Sequence, residues 1–72
     1  MKKELPILDL HGAFYPEVED KLVDFFFWEE NKEGIIVTGQ SHEMQKMVID
    51  WLEEYDYNYH IPYNNEGRII VR

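Results

Sequence analysis

The stretch GIIVTGQS, residues 34–41, joins a short apolar run to the start of a helix, and this junction determines the predicted fold. An apolar run of this length between glycines is typical of a strand buried on both sides or at the centre of a sheet. Ser41 is a favourable N-cap for the helix that follows. Apolar side chains then recur at three- and four-residue steps, which predicts one buried stripe on that helix. The stripe consists of Met44, Met47, Val48, Trp51, Leu52 and Tyr55.

The segments on either side of this junction supply the other elements. LPILDLH (5–11) is typical of a strand that ends at Gly12. From Tyr15 to about Asn31 the apolar period becomes helical, with one face made of Val18, Leu22, Phe25 and Phe26. YNYHIPY and GRIIVR, near the end of the chain, predict two more strands, joined by the turn-forming stretch PYNNEG.

This order of elements is strand, helix, strand, helix, strand, strand, in one domain over residues 1–72. Right-handed crossovers make the first two strands parallel, whereas the short last connection makes the final pair an antiparallel hairpin. We therefore predict a two-layer α/β sandwich, with two helices and a mixed four-stranded sheet.

Composition limits the functions open to such a domain. Fifteen acidic residues against seven basic ones give a formal charge of −8, which opposes generic attraction to DNA, RNA or an anionic membrane. There is no cysteine, so disulfides and thiolate metal sites are excluded. No apolar run approaches the roughly 18 residues of a membrane span. We expect a soluble cytoplasmic protein that does not act at a membrane.

Chemistry-bearing residues gather where the first two strands end. The carboxyl ends of parallel neighbours lie side by side and commonly bind ligands, so His11 and Gly12 are expected beside Thr38 and Gly39. Asp9 lies two residues before His11, and strand alternation predicts that the two share a face. Asp9 would then orient the imidazole, unless it only caps nearby backbone.

The turn TGQS (38–41) leads into the second helix and predicts an anion site. The first amide groups of a helix lack intrahelical acceptors, and the helix dipole favours negative charge there. Gln40 belongs to this turn, and His42 follows it in the first helical turn. If the last strand lies antiparallel beside the second, Gly67 and Arg68 reach the same edge, where Arg68 could bind a phosphate oxygen. The alternatives are an ordinary strand-to-helix turn and an exposed arginine.

These motifs resemble those of the small MutS-related (Smr) domain, in its minimal stand-alone form, over nearly the whole chain. LDLHG (8–12) matches the first hallmark motif of that family completely. The second hallmark, TGxG or HGxG, is matched by Thr38 and Gly39, with Ser41 in place of the second glycine. Gly67, within the terminal NNEGRIIV, corresponds to a late glycine-rich turn.

The resemblance implies the fold of the C-terminal domain of translation initiation factor three, with sheet order 1-2-4-3. It also implies nucleic-acid binding and nicking endonuclease activity on DNA or RNA. By position, Asp9 and His11 would be the catalytic pair, whereas Thr38, Gly39 and Ser41 would hold the substrate backbone. An imidazole can move protons near neutral pH, and a divalent ion such as Mg²⁺ or Mn²⁺ could bind at Asp9.

Two other functions stay open at this point. Only seven basic residues are present, and Lys2, Lys3, Lys21, Lys32 and Arg72 have no evident reason to converge, so nucleic-acid binding would be weak and salt dependent. A catalytically inactive module could instead contact a protein through the acidic helix face with Val23, Phe27 and Trp28, although Val23 and Phe27 also suit the rim of the core. A small phosphorylated metabolite would fit the anion site, but the chain is short for enclosing one.

Overall fold

The computed structural model describes residues 4–65 and 67–72; Lys2, Lys3 and Glu66, which figure in the motifs and charges above, lie outside them. The elements follow the predicted order. They are β1 (Ile7–Asp9), α1 (Tyr15–Val23) with a π-helix (Asp24–Trp28) directly after it, β2 (Gly34–Val37), α2 (His42–Glu54), β3 (Tyr59–His60) and β4 (Arg68–Val71).

The four strands form one mixed sheet in the order β1-β2-β4-β3. β1 is parallel to β2, and β4 is antiparallel to both β2 and β3. Both helical crossovers therefore move in the same direction across the sheet, from β1 to β2 and from β2 to β3. Because such crossovers are right-handed, both helices lie on one face of the sheet. The α/β fold and its sheet order are confirmed.

One face of the sheet is covered by the helices and the other is open. Strand alternation places Ile36, Ile69 and Val71 on the covered face, where all three are fully buried. Ile35 and Ile70 point to the open face and are half-buried. The core comprises Leu10, Val18, Leu22, Phe25, Phe26, Ile36, Met44, Val48, Trp51, Leu52, Ile69 and Val71.

The first helix differs from the predicted one at its C-terminal end. It changes to a π-helix at Asp24 and ends at Trp28, before the predicted boundary near Asn31. The wider turn is closed by a hydrogen bond from the Glu29 N–H to the Asp24 carbonyl (2.9 Å), and Phe25 and Phe26 both enter the core as predicted. The Asn31 side chain donates to the Phe25 carbonyl at 2.9 Å and satisfies the helix end.

The predicted stripe of α2 is buried over most of its length. Met44, Val48, Trp51 and Leu52 enter the core, whereas Met47 and Tyr55 are exposed on its flank. No helix within residues 4–65 and 67–72 is long and apolar enough to cross a membrane.

Two apolar side chains outside the predicted stripe of the first helix lie at the rim of the core. Val23 packs against the core, and the Phe27 ring lies 5.6 Å from the Trp51 ring between centroids. Val23 and Phe27 therefore both make contacts at the rim of the core, while Phe27 is 43% and Trp28 77% exposed.

Candidate functional site

A cleft of about 360 Å³ opens where β1 and β2 end and both helices begin. Its walls come from the loop after β1, the start of α1, the β2–α2 turn and the first turn of α2. None of the lining residues carries a carboxylate, although the chain as a whole is strongly acidic. The cleft is lined by His11, Gly12, Ala13, Phe14, Tyr15, Thr38, Gln40, Ser41 and Met44.

Two glycines allow the chain segments at this edge to approach closely. Gly39 has φ of +70°, and a Cβ there would lie 2.9 Å from Cδ2 of His11. A Cβ at Gly67 would lie 3.1 Å from the carbonyl oxygen of Gly39. The Gly67 carbonyl in turn accepts hydrogen bonds from the N–H groups of Thr38 (2.8 Å) and Gly39 (3.1 Å). The imidazole, the turn after β2 and the start of β4 therefore meet at one edge.

Ser41 connects the two walls of the cleft. Its Oγ accepts a hydrogen bond from the Met44 N–H at 3.1 Å, which confirms the predicted N-cap, and lies 3.2 Å from the hydroxyl of Tyr15. The first two amides of α2, at His42 and Glu43, have no acceptor within the helix. They are the donors of the predicted anion site. His42 is exposed in an adjoining depression with Gly39, Gln40, Ser41 and Gln45.

The predicted pair Asp9 and His11 is arranged differently from the expectation. β1 ends at Asp9, and Gly12, with φ of +81°, turns the chain, so strand alternation no longer determines where His11 points. His11 lines the cleft, whereas Asp9 stays on the open face of the sheet. Oδ1 of Asp9 accepts the backbone N–H of His11 at 2.9 Å, and no bond joins it to the imidazole among the described residues. Asp9 therefore fixes the backbone at His11 and leaves the ring to the cleft.

Arg68 reaches the same edge of the sheet but faces away from the cleft. Its Cα pairs with that of Val37 on β2, as expected for an antiparallel neighbour. Because Ile69 points to the helices, Arg68 points to the open face. The predicted rim is thus divided: the imidazole and both glycines lie together on the helix side, and the guanidinium lies on the other side with Asp9.

Sequence reasoning missed the two aromatic side chains of the cleft. Phe14 is 73% exposed, and Tyr15 is also exposed. Pro16 lies in the first turn of α1, so the helix begins there and leaves Phe14 at its N-cap. The available signal was the pair of aromatic residues between LDLHG and a proline, separated from the motif by Ala13 alone.

Charge at the site comes from few groups. Lys46, one turn into α2, pairs with Asp50 at 3.0 Å. Within residues 4–65 and 67–72 there is no group of three or more His, Asp or Glu side chains that could hold a metal ion.

A larger groove of about 710 Å³ lies between α1 and α2, away from this edge. Its floor is apolar, and carboxylates of both helices stand at its rim, which makes it unfavourable for phosphate. The floor is formed by Val18, Leu22, Met47 and Trp51, and the rim by Glu19, Asp50, Glu53 and Glu54.

Comparisons with protein-family models, with curated proteins and with solved structures find no match to this chain. The resemblance to Smr domains is therefore one of sequence motifs alone.

Proposed function

We propose that the protein binds single-stranded nucleic acid in the cleft between the starts of its two helices. The observation that carries this proposal is the cleft itself, which combines helix N-terminal amides, an imidazole and exposed aromatic rings without a lining carboxylate. DNA and RNA share the phosphates and bases that these groups recognise.

The phosphate would lie against the β2–α2 turn. Amides of the first turn of α2 offer hydrogen bonds and the positive end of the helix dipole. Gly39 lets this turn lie against the imidazole, since a Cβ there would lie 2.9 Å from Cδ2 of His11. His11, in contact with Gly39, is placed to donate to a phosphate oxygen.

The bases would stack on the aromatic wall. Phe14 and Tyr15 lie in the same cleft, and base–aromatic stacking contributes about 1–3 kcal/mol per base whatever the base is. Stacking does not require positive charge, and this matters because the chain carries a net charge of −8. We therefore expect weak binding in which stacking contributes more than phosphate neutralisation.

Titration of labelled single- and double-stranded DNA and RNA, followed by fluorescence anisotropy at low and physiological salt, tests the proposal. We expect single strands to bind in preference to duplexes, and Phe14→Ala to weaken binding roughly tenfold. Trp28→Ala removes an equally exposed aromatic ring far from the cleft and is the matched control. The absence of binding at any salt, or equal effects of the two variants, would contradict the proposal.

The same proposal assigns His11 as the proton-transfer group if a bound strand is cleaved. Its imidazole would take a proton from water as the water oxygen bonds to phosphorus and the bond to the leaving oxygen breaks. Asp9 would act as a positioning residue through its hydrogen bond to the His11 N–H. Nicking assays of the wild type and His11→Ala, with and without Mg²⁺ or Mn²⁺, test this role. Equal activity of the two proteins would exclude it.

A second candidate function is protein binding in the groove between α1 and α2. Its apolar floor and acidic rim are complementary to a cationic amphipathic helix. Met47→Glu, at an exposed floor position, should abolish binding of such a peptide and leave nucleic-acid binding unchanged. A peptide that binds both proteins equally would rule out the groove.

A further inference from the structure

The open face of the sheet carries a compact apolar row in the middle of the molecule. The strand register aligns Ile7 with Ile35, Ile35 with Ile70, and Ile70 with His60 across all four strands. Ile7 is 59% exposed, and Ile35 and Ile70 are half-buried. Neither helix covers this row, because both lie on the other face.

A second row runs beside the first and carries charge. The register aligns Asp9 with Val37 and Val37 with Arg68. Asp9 on β1 and Arg68 on β4 therefore lie on either side of Val37, which belongs to the strand between them, β2. Adjacent strands lie about 4.8 Å apart, so the two charged residues are separated by roughly 10 Å, measured between backbones.

The two rows are self-complementary. A two-fold axis that runs along β2, midway between two stacked sheets, brings β1 of one copy over β4 of the other. Asp9 then faces the partner's Arg68, Ile7 faces the partner's Ile70, and Ile35 faces its own counterpart. Each dimer contains two such acid–base pairs, with Val37 facing its own counterpart between them and the apolar row beside them.

We propose that the open sheet face binds a second copy of this chain in this orientation, to form a four-layer α/β/β/α dimer. The dimer does not rest on nucleic-acid binding in the cleft, but it shares Asp9 with that site, where Oδ1 of Asp9 accepts the His11 N–H. Its test therefore measures association alone.

The distribution of charge favours this partner. Among the residues of β1 to β4, Asp9 is the one acid and Arg68 the one arginine or lysine, so the sheet is neutral in a chain of net charge −8. Stacking the sheets leaves both acidic helix layers on the outside. Packed layers are each about 10 Å apart, which separates the helix layers by roughly four Debye lengths at physiological salt. Repulsion between them is therefore largely screened.

The size of the face predicts that association is weak. The three strands that overlap in this orientation, β1, β2 and β4, have up to four residues each and span roughly 14 by 13 Å, well below the ~800 Å² per partner of a standard stable interface. We therefore expect a weak, transient dimer, in which a difference between matched and mismatched charges is readily measured.

Charge exchange tests the proposed pairing in sedimentation velocity experiments without nucleic acid. Asp9→Arg and Arg68→Asp should each associate at least tenfold more weakly than the wild type, because each places two like-charge pairs at the interface. An equimolar mixture of the two variants should dimerise again, because both pairs in the mixed dimer are then opposite in charge. The double variant Asp9→Arg/Arg68→Asp should associate with itself like the wild type.

Two controls distinguish the proposed pairing of Asp9 with Arg68 from an effect of net charge and from unfolding of the variants. Glu54→Arg and Lys32→Asp make the same changes in charge at exposed positions away from the open face and should associate like the wild type. Net charge alone would make Asp9→Arg associate more strongly and Arg68→Asp more weakly, and dimerisation of the mixture requires both variants to be folded. A wild type that stays monomeric at about 1 mM, or a mixture that associates no better than its components, would overturn the proposal.

Discussion

The covered and open faces of the sheet are built from the same strands with the same aliphatic residue types, yet one forms the core and the other stays partly exposed. On β2, Ile36 is fully buried under the helices, while its neighbour Ile35 is half-buried on the open side. What separates them is the direction of the crossovers, since two right-handed connections that move the same way place both helices on one face. The face of a strand that becomes core is thus decided by topology, and residue type alone does not identify it.

Neighbouring residues on β2 provide the largest test of this difference. Ile36→Ala should lower the free energy of unfolding by about 2–5 kcal/mol, because it leaves a cavity in the packed core. Ile35→Ala removes the same atoms from a half-buried position and should cost about 1 kcal/mol in the monomer. Urea denaturation of both variants at low protein concentration measures the two values. Equal losses would mean that the open face is covered in solution.

The sequence predicts the fold well because its signals are local and mutually consistent. The run at residues 34–41 specifies a central strand, a capped helix and the edge between them. The strands are shorter than their patterns suggest, most clearly at the predicted strand 57–63, of which only Tyr59–His60 pairs. Tyr57 is drawn into the helix end instead, where its N–H donates to the Leu52 carbonyl at 2.9 Å and its ring stacks on Trp51. An alternating pattern does not reveal such capping contacts.

The sequence predicts where the residues of the candidate site lie, but not the face of the sheet to which each side chain points. Parallel neighbours bring His11 to Gly39 whatever the details of the loop, and that contact is present. The side to which His11 points depends on the turn at Gly12, with its positive φ, and on the end of β1 at Asp9. Alternation extended past the last paired residue therefore placed His11 with Asp9 on one face. Arg68, which lies within a paired strand, keeps its alternation and faces away.

Alanine substitutions at two glycines compare two kinds of destabilisation. One glycine lies in a crowded position on the covered side of the sheet, and the other has a strained backbone conformation. At Gly34 a Cβ would lie 2.8 Å from the ring of the buried Phe25 and 3.1 Å from the Pro6 carbonyl, so Gly34→Ala should destabilise by about 1–3 kcal/mol. Gly12→Ala meets no atom within 4 Å but must adopt φ of +81°, which costs about 1–2 kcal/mol. Phe25→Leu should relieve part of the first cost and none of the second. Thermal or urea unfolding of the single and double variants measures both effects.

Removal of the helix cap is expected to have a smaller effect. Ser41→Ala eliminates the acceptor of the Met44 N–H and should lower the free energy of unfolding by about 1 kcal/mol. Ser41→Asp keeps an acceptor and should restore most of the stability, yet its negative charge should weaken nucleic-acid binding in the cleft. Urea denaturation and anisotropy titration of both variants therefore separate the structural role of Ser41 from its place in the site. Parallel changes in stability and affinity would contradict that separation.

The smallest expected effect lies at the edge of the covered face, where β3 meets α2. The Tyr59 hydroxyl donates to Oε2 of Glu53 at 2.6 Å, and this bond, followed by desolvation and the nearby charges of Glu53 and Asp50, raises the pKa of Tyr59 above its usual 10.0. Since the folded state holds this proton more tightly, the stability it contributes is complete below pH 10 and is lost as the pH rises through the raised pKa. Tyr59→Phe should therefore be slightly less stable than the wild type at neutral pH, and the difference should vanish in alkali. Paired urea denaturation curves across that range measure it, and a difference that is constant with pH would show that the hydrogen bond to Glu53 does not form in solution.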